Sequence, residues 1–270
     1  MTEAHLVRVG FVGAGQMGEP MVRRLLGAGF PVTVFARRPE VKARLAAAGA
    51  ALAGTVGGAA AGADVLVLCL FDGAQLLEVA LGDEGAVRSL GADAVVVNHT
   101  TLSPSALRAL VNAAGSARVV DAPVSGSATD IDEGRLRVLV GAEPAAFARA
   151  EPALRTYGDP LLPTGEVGSA TLVKLVNNAL FAAHAQVASD ALRLADDLGI
   201  DRALLLGALA VCSGGSNVLH YRQAQPDDDG SRAVPYIRKD VAACREAARE
   251  LGVTLGYLEE VIASGPLPFT

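Results

Sequence analysis

Gly13-Ala14-Gly15-Gln16-Met17-Gly18 follows the run Arg8-Val9-Gly10-Phe11-Val12 and opens a helix-compatible stretch that reaches Ala28. A bare GxGxxG is a weak signal, because 30 glycines in 270 residues produce such spacings by chance. The setting between a strand and a helix gives it meaning. There the first glycine permits the tight turn and the second lets the backbone approach a pyrophosphate. The third allows close helix–strand packing. These six residues therefore read as a dinucleotide-binding turn.

Outward from that turn, short aliphatic runs alternate with helix-like segments. Strands are expected at Arg8–Val12, Val32–Phe35, Val65–Leu70, Ala94–Val97, Val119–Asp121 and Leu136–Val140. Helices are expected between them at Gln16–Ala28, Pro39–Ala48, Ala74–Leu81 and Pro104–Ala114. This alternation predicts a parallel sheet covered on both faces. Near Thr164 the texture changes. From Gly168 onward helices are expected at Ser169–Leu198, Asp201–Cys212, Pro235–Leu251 and Gly256–Ala263, with a solvated loop over Gln223–Ser231. The fold class is α/β, with a Rossmann-type doubly wound sheet in residues 1–165 and an all-helical domain in 166–270. The opening helix of the second part would run about 45 Å at 1.5 Å per residue. Its apolar residues recur on more than one face, which predicts a homo-oligomer, dimer or tetramer.

The bulk composition excludes several classes. Apolar residues make up 51% and charged ones 19%, so the chain folds. A net charge of −6 and a pI near 5.3 give no general basic field for nucleic acid or an anionic membrane. The uncharged stretch Leu45–Ala63 is dominated by Ala and Gly, too weakly apolar for a membrane span. Cys69, Cys212 and Cys244 form no CxxC pair, so reduced and mostly buried thiols are expected. The first strand begins almost at once, leaving no room for a signal peptide, and both features predict a cytoplasmic protein. His99, His184 and His220 have no ligand-like spacing and read as structural, so no metal is expected.

The end of the second strand selects the dinucleotide. An Asp or Glu there accepts hydrogen bonds from a ribose 2′-OH in NAD-binding folds. This chain has Ala36-Arg37-Arg38. Guanidinium forks bind a 2′-phosphate that a carboxylate would repel, so NADP is expected over NAD.

Lys174 lies in the apolar run Leu172-Val173-Lys174-Leu175-Val176, followed by Asn177 and Asn178. At about 100° per residue, Asn178 falls within about 40° of Lys174, one helical turn along. If that face lines a cleft, an ammonium and an amide meet at one place. If it faces water, the pair means nothing.

Four blocks in order carry a resemblance along nearly the whole chain. They are Gly10-Phe11-Val12-Gly13-Ala14-Gly15-Gln16-Met17-Gly18-Glu19-Pro20-Met21, Asp121-Ala122-Pro123-Val124-Ser125-Gly126-Ser127, Gly168 through Lys174 to Asn177-Asn178, and Lys239-Asp240. Together they resemble the β-hydroxyacid dehydrogenases. The resemblance implies that Lys174 is the catalytic acid/base, with Asn178 beside it holding a small carboxylate substrate. Ser125 and Gly126 would bind the substrate carboxylate. Leu70, Phe71 and Thr101 would border the nicotinamide half of the cofactor. Lys239 would reach towards the cofactor, with Asp240 orienting its neighbours. A lysine base must titrate below its ordinary value of about 10.4, and desolvation with Lys239 nearby acts in that direction.

The chain also departs from the family pattern. Ser127 replaces a second glycine, either narrowing the carboxylate nest or adding a hydroxyl to it. Ala170 replaces a glycine before the lysine, Ser231 to Tyr236 lack the usual phenylalanine, and the chain stops short of a last helical segment. Two other readings stay open. One is an imine reductase of the same fold, which commonly has Asp or Tyr at the lysine position. The other is a non-catalytic NADP-binding protein.

Overall fold

The computed structural model describes residues 7–115, 118–225 and 233–269. These divide into two compact units, one ending at Lys174 and the other beginning at Leu175. The first unit holds strands β1 (Val9–Val12), β2 (Val32–Phe35), β3 (Ala51–Leu52), β4 (Val65–Leu68), β5 (Val95–Asn98), β6 (Val119–Asp121), β7 (Val124–Ser125), β8 (Leu136–Ala142) and β9 (Gly158–Gly165). Their order is β3-β2-β1-β4-β5-β6-β8-β7, with β9 also paired to β8. The pairings β3-β2, β2-β1, β1-β4, β4-β5 and β5-β6 are all parallel, and β8 runs antiparallel to β6 and β7.

Strand side chains alternate between faces, and both faces are covered. In β4, Val65 and Val67 join one apolar cluster while Leu66 and Leu68 join another. The first cluster takes Met21, Val22 and Leu25 from α1 (Gly18–Gly27) and Val41 and Leu45 from α2 (Pro39–Ala47). It also takes Ala146, Ala150 and Leu154 from α7 (Pro144–Leu154). The second takes Ala59 and Ala60 from α3 (Val56–Ala60), Leu76 and Ala80 from α4 (Gly73–Leu81), and Leu107 and Leu110 from α5 (Pro104–Ala114). A short α6 (Ala128–Asp132) precedes β8. The expected doubly wound sheet is therefore present.

Helix α8 (Ser169–Asp197) starts in the first unit and supplies the spine of the second. There its buried residues Leu175, Ala179, Ala182 and Leu192 share a cluster with Leu206 of α9 (Arg202–Leu209) and Val218 and Leu219 of α10 (Asn217–Ala224). The cluster also includes Val241 and Cys244 of α11 (Val234–Leu251) and Ile262 of α12 (Tyr257–Ser264). Buried Gln186 donates to Ile262 O and Leu267 O at 2.9 and 2.7 Å and accepts from Leu267 N–H.

Three expectations need correction. The loop expected from Gln223 starts later, because α10, capped at Ser216, runs on to Ala224; Pro226 to Ser231 lie outside the described residues. Helix α9 ends at Leu209, well before Cys212. Only Cys244 of the three free thiols is buried, since Cys212 is exposed and Cys69 half-buried.

Candidate functional site

The strand order reverses between β1 and β4, and in open α/β sheets the crevice at such a switch point takes the ligand. The loop after β1 lies there. Gly13 has φ +103°, and a Cβ on it would sit 2.1 Å from Cys69 O in the loop after β4. A Cβ on Gly18 would sit 2.2 Å from Gly13 O. Gly15 differs: nothing lies within 4 Å of where its Cβ would be, so that backbone faces open space. Two glycines close the turn and one leaves a cradle, which fits a pyrophosphate. Ala14 is buried, Met17 half-buried and Gln16 exposed on the same loop.

Glu19, in the first turn of α1, is buried and receives both prongs of Arg44 from α2 at 2.7 Å. The Arg44 hydrogen bonds hold its carboxyl below the ordinary value. Ala36, Arg37 and Arg38 follow β2. Ala36 is buried and both arginines are exposed. Arg38 stands 3.8 Å from Glu40, whereas Arg37 has no ion pair or hydrogen bond among the described residues. An exposed, uncommitted guanidinium beside the phosphate loop can take a phosphate.

The ends of β4 and β5 are tied together. Thr100 Oγ1 accepts the Leu70 N–H at 3.0 Å, while Asn98 bonds both the N–H and the carbonyl of Thr100. Phe71 is exposed beside half-buried Leu70, and Thr101 follows half-buried. His99 is fully enclosed. Its Nδ1 meets the Ala122 carbonyl at 2.5 Å, which can only accept, so Nδ1 carries the proton. Its Nε2 then accepts from the Tyr157 hydroxyl at 2.9 Å. Burial pushes the His99 pKa down to about 4, so the ring is neutral and structural. His184 and His220 are exposed.

Beyond β6 the chain turns through Ser125, Gly126 and Ser127. Gly126 has φ +141°, and a Cβ there would press on Asp130 Oδ2 and Leu136 Cδ1 at 3.0 Å. Only glycine fits. Ser127 forms a capping box on α6: its N–H and its hydroxyl both donate to Asp130 Oδ2 at 2.8 Å. Those two donors are spent, so Ser127 shapes the loop and offers no further hydrogen to a ligand.

Lys174 is buried on α8, three residues past Thr171, whose N–H and hydroxyl bind the Asp121 carboxylate at the end of β6. Asn178 is buried one turn further along the helix. Its Oδ1 accepts from Asn177 at 3.1 Å, but its Nδ2 has no hydrogen-bond partner among the described residues. A buried amide donor without a partner is costly and points to an acceptor brought by a ligand. Lys239 and Asp240 lie on α11 in the second unit, half-buried and paired at 2.6 Å. Sequence reasoning missed the Glu19–Arg44 pair and the part played by Asp121. A carboxylate in the first turn of α1 and another inside the second block were the available signals.

A parallel sheet of this order with a glycine cradle at its switch point defines a dinucleotide-binding protein. Residues 8–169 match the family described as the NAD binding domain of 6-phosphogluconate dehydrogenase. Residues 168–263 match the NAD-binding of NADP-dependent 3-hydroxyisobutyrate dehydrogenase. A 3-hydroxyisobutyrate dehydrogenase of Pseudomonas aeruginosa is 30% identical over 96% of this chain and 88% of its own. A crystal structure of 3-hydroxyisobutyrate dehydrogenase from Salmonella typhimurium superposes with TM-score 0.83 at 26% identity, covering 95% of this chain and 92% of that one. Psf3, solved in complex with NADP+ and 2-OPP, superposes with TM-score 0.82 at 25% identity over 94% and 92%. The chain belongs to the β-hydroxyacid dehydrogenase family, a group of nicotinamide-dependent oxidoreductases.

Proposed function

We propose that this chain is an NADP(H)-dependent dehydrogenase that interconverts a small β-hydroxy acid and its semialdehyde or keto acid. The observation that carries this reading is the buried Lys174 with Asn178 one turn along, the latter holding an amide donor with no partner among the described residues. Bound NADP(H) supplies the hydride. In reduction Lys174 gives its proton to the oxygen that becomes the hydroxyl, and in oxidation it takes that proton back. Asn178 Nδ2 donates to the substrate. The Ser125 hydroxyl and the Gly126 N–H hold its carboxylate, with Ser127 and Asp130 fixing their loop. Exposed Arg37 and Arg38 favour the 2′-phosphate, and the NADP+ in Psf3 supports that choice. Leu70, Phe71 and Thr101 flank the nicotinamide half, and Lys239 reaches towards the cofactor with Asp240 orienting its neighbours.

A homo-oligomer belongs to the same reading. Val176, Leu180, Val187 and Leu194 line an exposed face of α8, and a second copy of the chain is their natural cover. Three thiols outside any disulfide support a cytoplasmic setting, and no described helix is long and apolar enough to cross a membrane. The deciding experiment is NADPH oxidation against a panel of small aldehyde and keto acids, with cyclic imines included. Turnover of a semialdehyde or keto acid is expected. Turnover of imines alone, or cofactor binding with no turnover at all, would overturn the reading.

A further inference from the structure

Asp121 opens the segment that leads to Ser125 and Gly126, yet the proposed reaction gives it no task. It is completely buried at the carboxyl end of β6. One oxygen accepts the Thr171 N–H and the other the Thr171 hydroxyl, each at 2.8 Å, and the Gly168 N–H bonds it as well. Burying a carboxylate is expensive, and the free N–H groups of a helix end are ordinarily capped by a nearby Ser, Thr or Asp. Here the nearby candidate is turned away, because Ser169 Oγ bonds back to Glu166 O at 2.6 Å. The cap of α8 comes instead from a strand residue fifty positions earlier.

A local cap would satisfy the N–H groups but would not fix the helix against the sheet. Asp121 does both. Lys174 stands three residues beyond Thr171, about 4.5 Å along the axis and about 60° around it. Ser125 and Gly126 stand at the other end of the segment that Asp121 begins.

We propose that Asp121 is a positioning residue: by gripping Thr171 it sets Lys174 in register with the Ser125–Gly126 turn. This rests on the reading of Lys174 as proton donor and acceptor. Misplacing a reacting group by about 1 Å costs on the order of 100-fold in rate, so the grip has kinetic weight.

The test is a series in the full chain: Asp121→Ala, Asp121→Asn, Thr171→Val and Lys174→Ala, each assayed for kcat, for NADP(H) affinity and for melting temperature. An asparagine keeps the strut, accepting the Thr171 N–H and donating to its hydroxyl. Asp121→Ala should lower kcat about 10- to 100-fold with NADP(H) affinity within about twofold. Asp121→Asn should return kcat to within about threefold of the wild type, and Thr171→Val should fall between them. Combining Asp121→Ala with Thr171→Val should cost no more than Asp121→Ala alone. Undiminished kcat in Asp121→Ala, beside a dead Lys174→Ala, overturns the positioning role alone. So does Asp121→Asn being as impaired as Asp121→Ala. Should Asp121→Ala fail to fold, undiminished kcat in Thr171→Val overturns it too. An inert wild type overturns the lysine reading and this one with it.

Discussion

Arg44 grips Glu19 with two parallel bonds, Nε to Oε1 and Nη2 to Oε2, each at 2.7 Å. Glu19 sits in the first turn of α1, where the helix dipole favours an anion and where the pyrophosphate is expected. A lone carboxylate there would repel the phosphates, and Arg44 neutralises it. Arg44→Ala is expected to weaken NADP(H) binding about 3- to 10-fold, with kcat at saturation unchanged. Adding Glu19→Gln should restore the affinity. Fluorescence titration of the reduced cofactor checks both, and unaltered binding in Arg44→Ala would remove the argument.

The Arg37–Arg38 turn makes a separate prediction about selectivity. Replacing both with alanine should lower kcat/KM for NADPH about 10- to 100-fold, through loss of charge-assisted bonds to the 2′-phosphate. The value for NADH should change less than about threefold. Equal losses with both cofactors would mean that the arginines do not read the phosphate.

Loss of the buried ammonium should separate chemistry from binding. Lys174→Ala is expected to lower kcat by about 10²- to 10⁴-fold, the usual worth of a positioned acid/base. NADP(H) affinity should stay near the wild-type value. Single-turnover measurement of NADPH consumption reads the first quantity and equilibrium titration the second. Substantial residual turnover would exclude the lysine from proton transfer.

Two buried groups give stability a worked pH dependence. Burial pushes the Asp121 carboxyl up from 3.8 to about 6 despite its bonds from Thr171 and Gly168. Its favourable contribution is therefore complete below about pH 4 and lost as pH rises through about 6. His99 has the opposite sign. Burial lowers it from 6.5 to about 4, so its contribution is complete above about pH 6.5 and lost as pH falls towards 4. Each effect is of order 3 kcal/mol and they offset one another over the same interval. Asp121→Asn removes one of them. Its melting temperature should exceed the wild type at pH 7 and converge with it near pH 4; a difference constant across that range would contradict the assignment.

Ser127→Ala should cost about 1 kcal/mol, the usual value of a helix cap. It should also raise KM for the acid substrate while leaving NADP(H) affinity alone, because α6 and the Ser125–Gly126 turn share that cap. Thermal melts and steady-state kinetics on one preparation test both halves. An unchanged melting temperature would show that the capping box does not support the loop.

The central sheet was legible because β1, β4 and β5 are buried on both faces and read as nearly continuous apolar runs. Helices α2, α5 and α8 were legible within a residue or so, the first two from the proline at their starts. What escaped had contrary local signals. Strand β9 carries Pro160 and Pro163, tolerated because it pairs only with β8 among the described strands. Helix α7 contains Pro152, and α3 is glycine and alanine throughout after Val56. Among the candidate site residues, Lys174 and Gly126 could be picked out from their neighbours and the resemblance. The commitment of Ser127 to Asp130 could not, because a serine before Thr-Asp reads equally well as a ligand or a cap. Asp121 was equally opaque: its partner lies fifty residues away.

That distance bears on how such an enzyme can change. The excursion from Asp121 to Thr171 leaves and returns at one hydrogen-bonded junction, and β7, α6, β8, α7 and β9 all lie within it. Insertions or exchanges along the excursion need not move the lysine, provided the junction is spared. Substrate preference can thus drift across generations while the placement of Lys174 stays put.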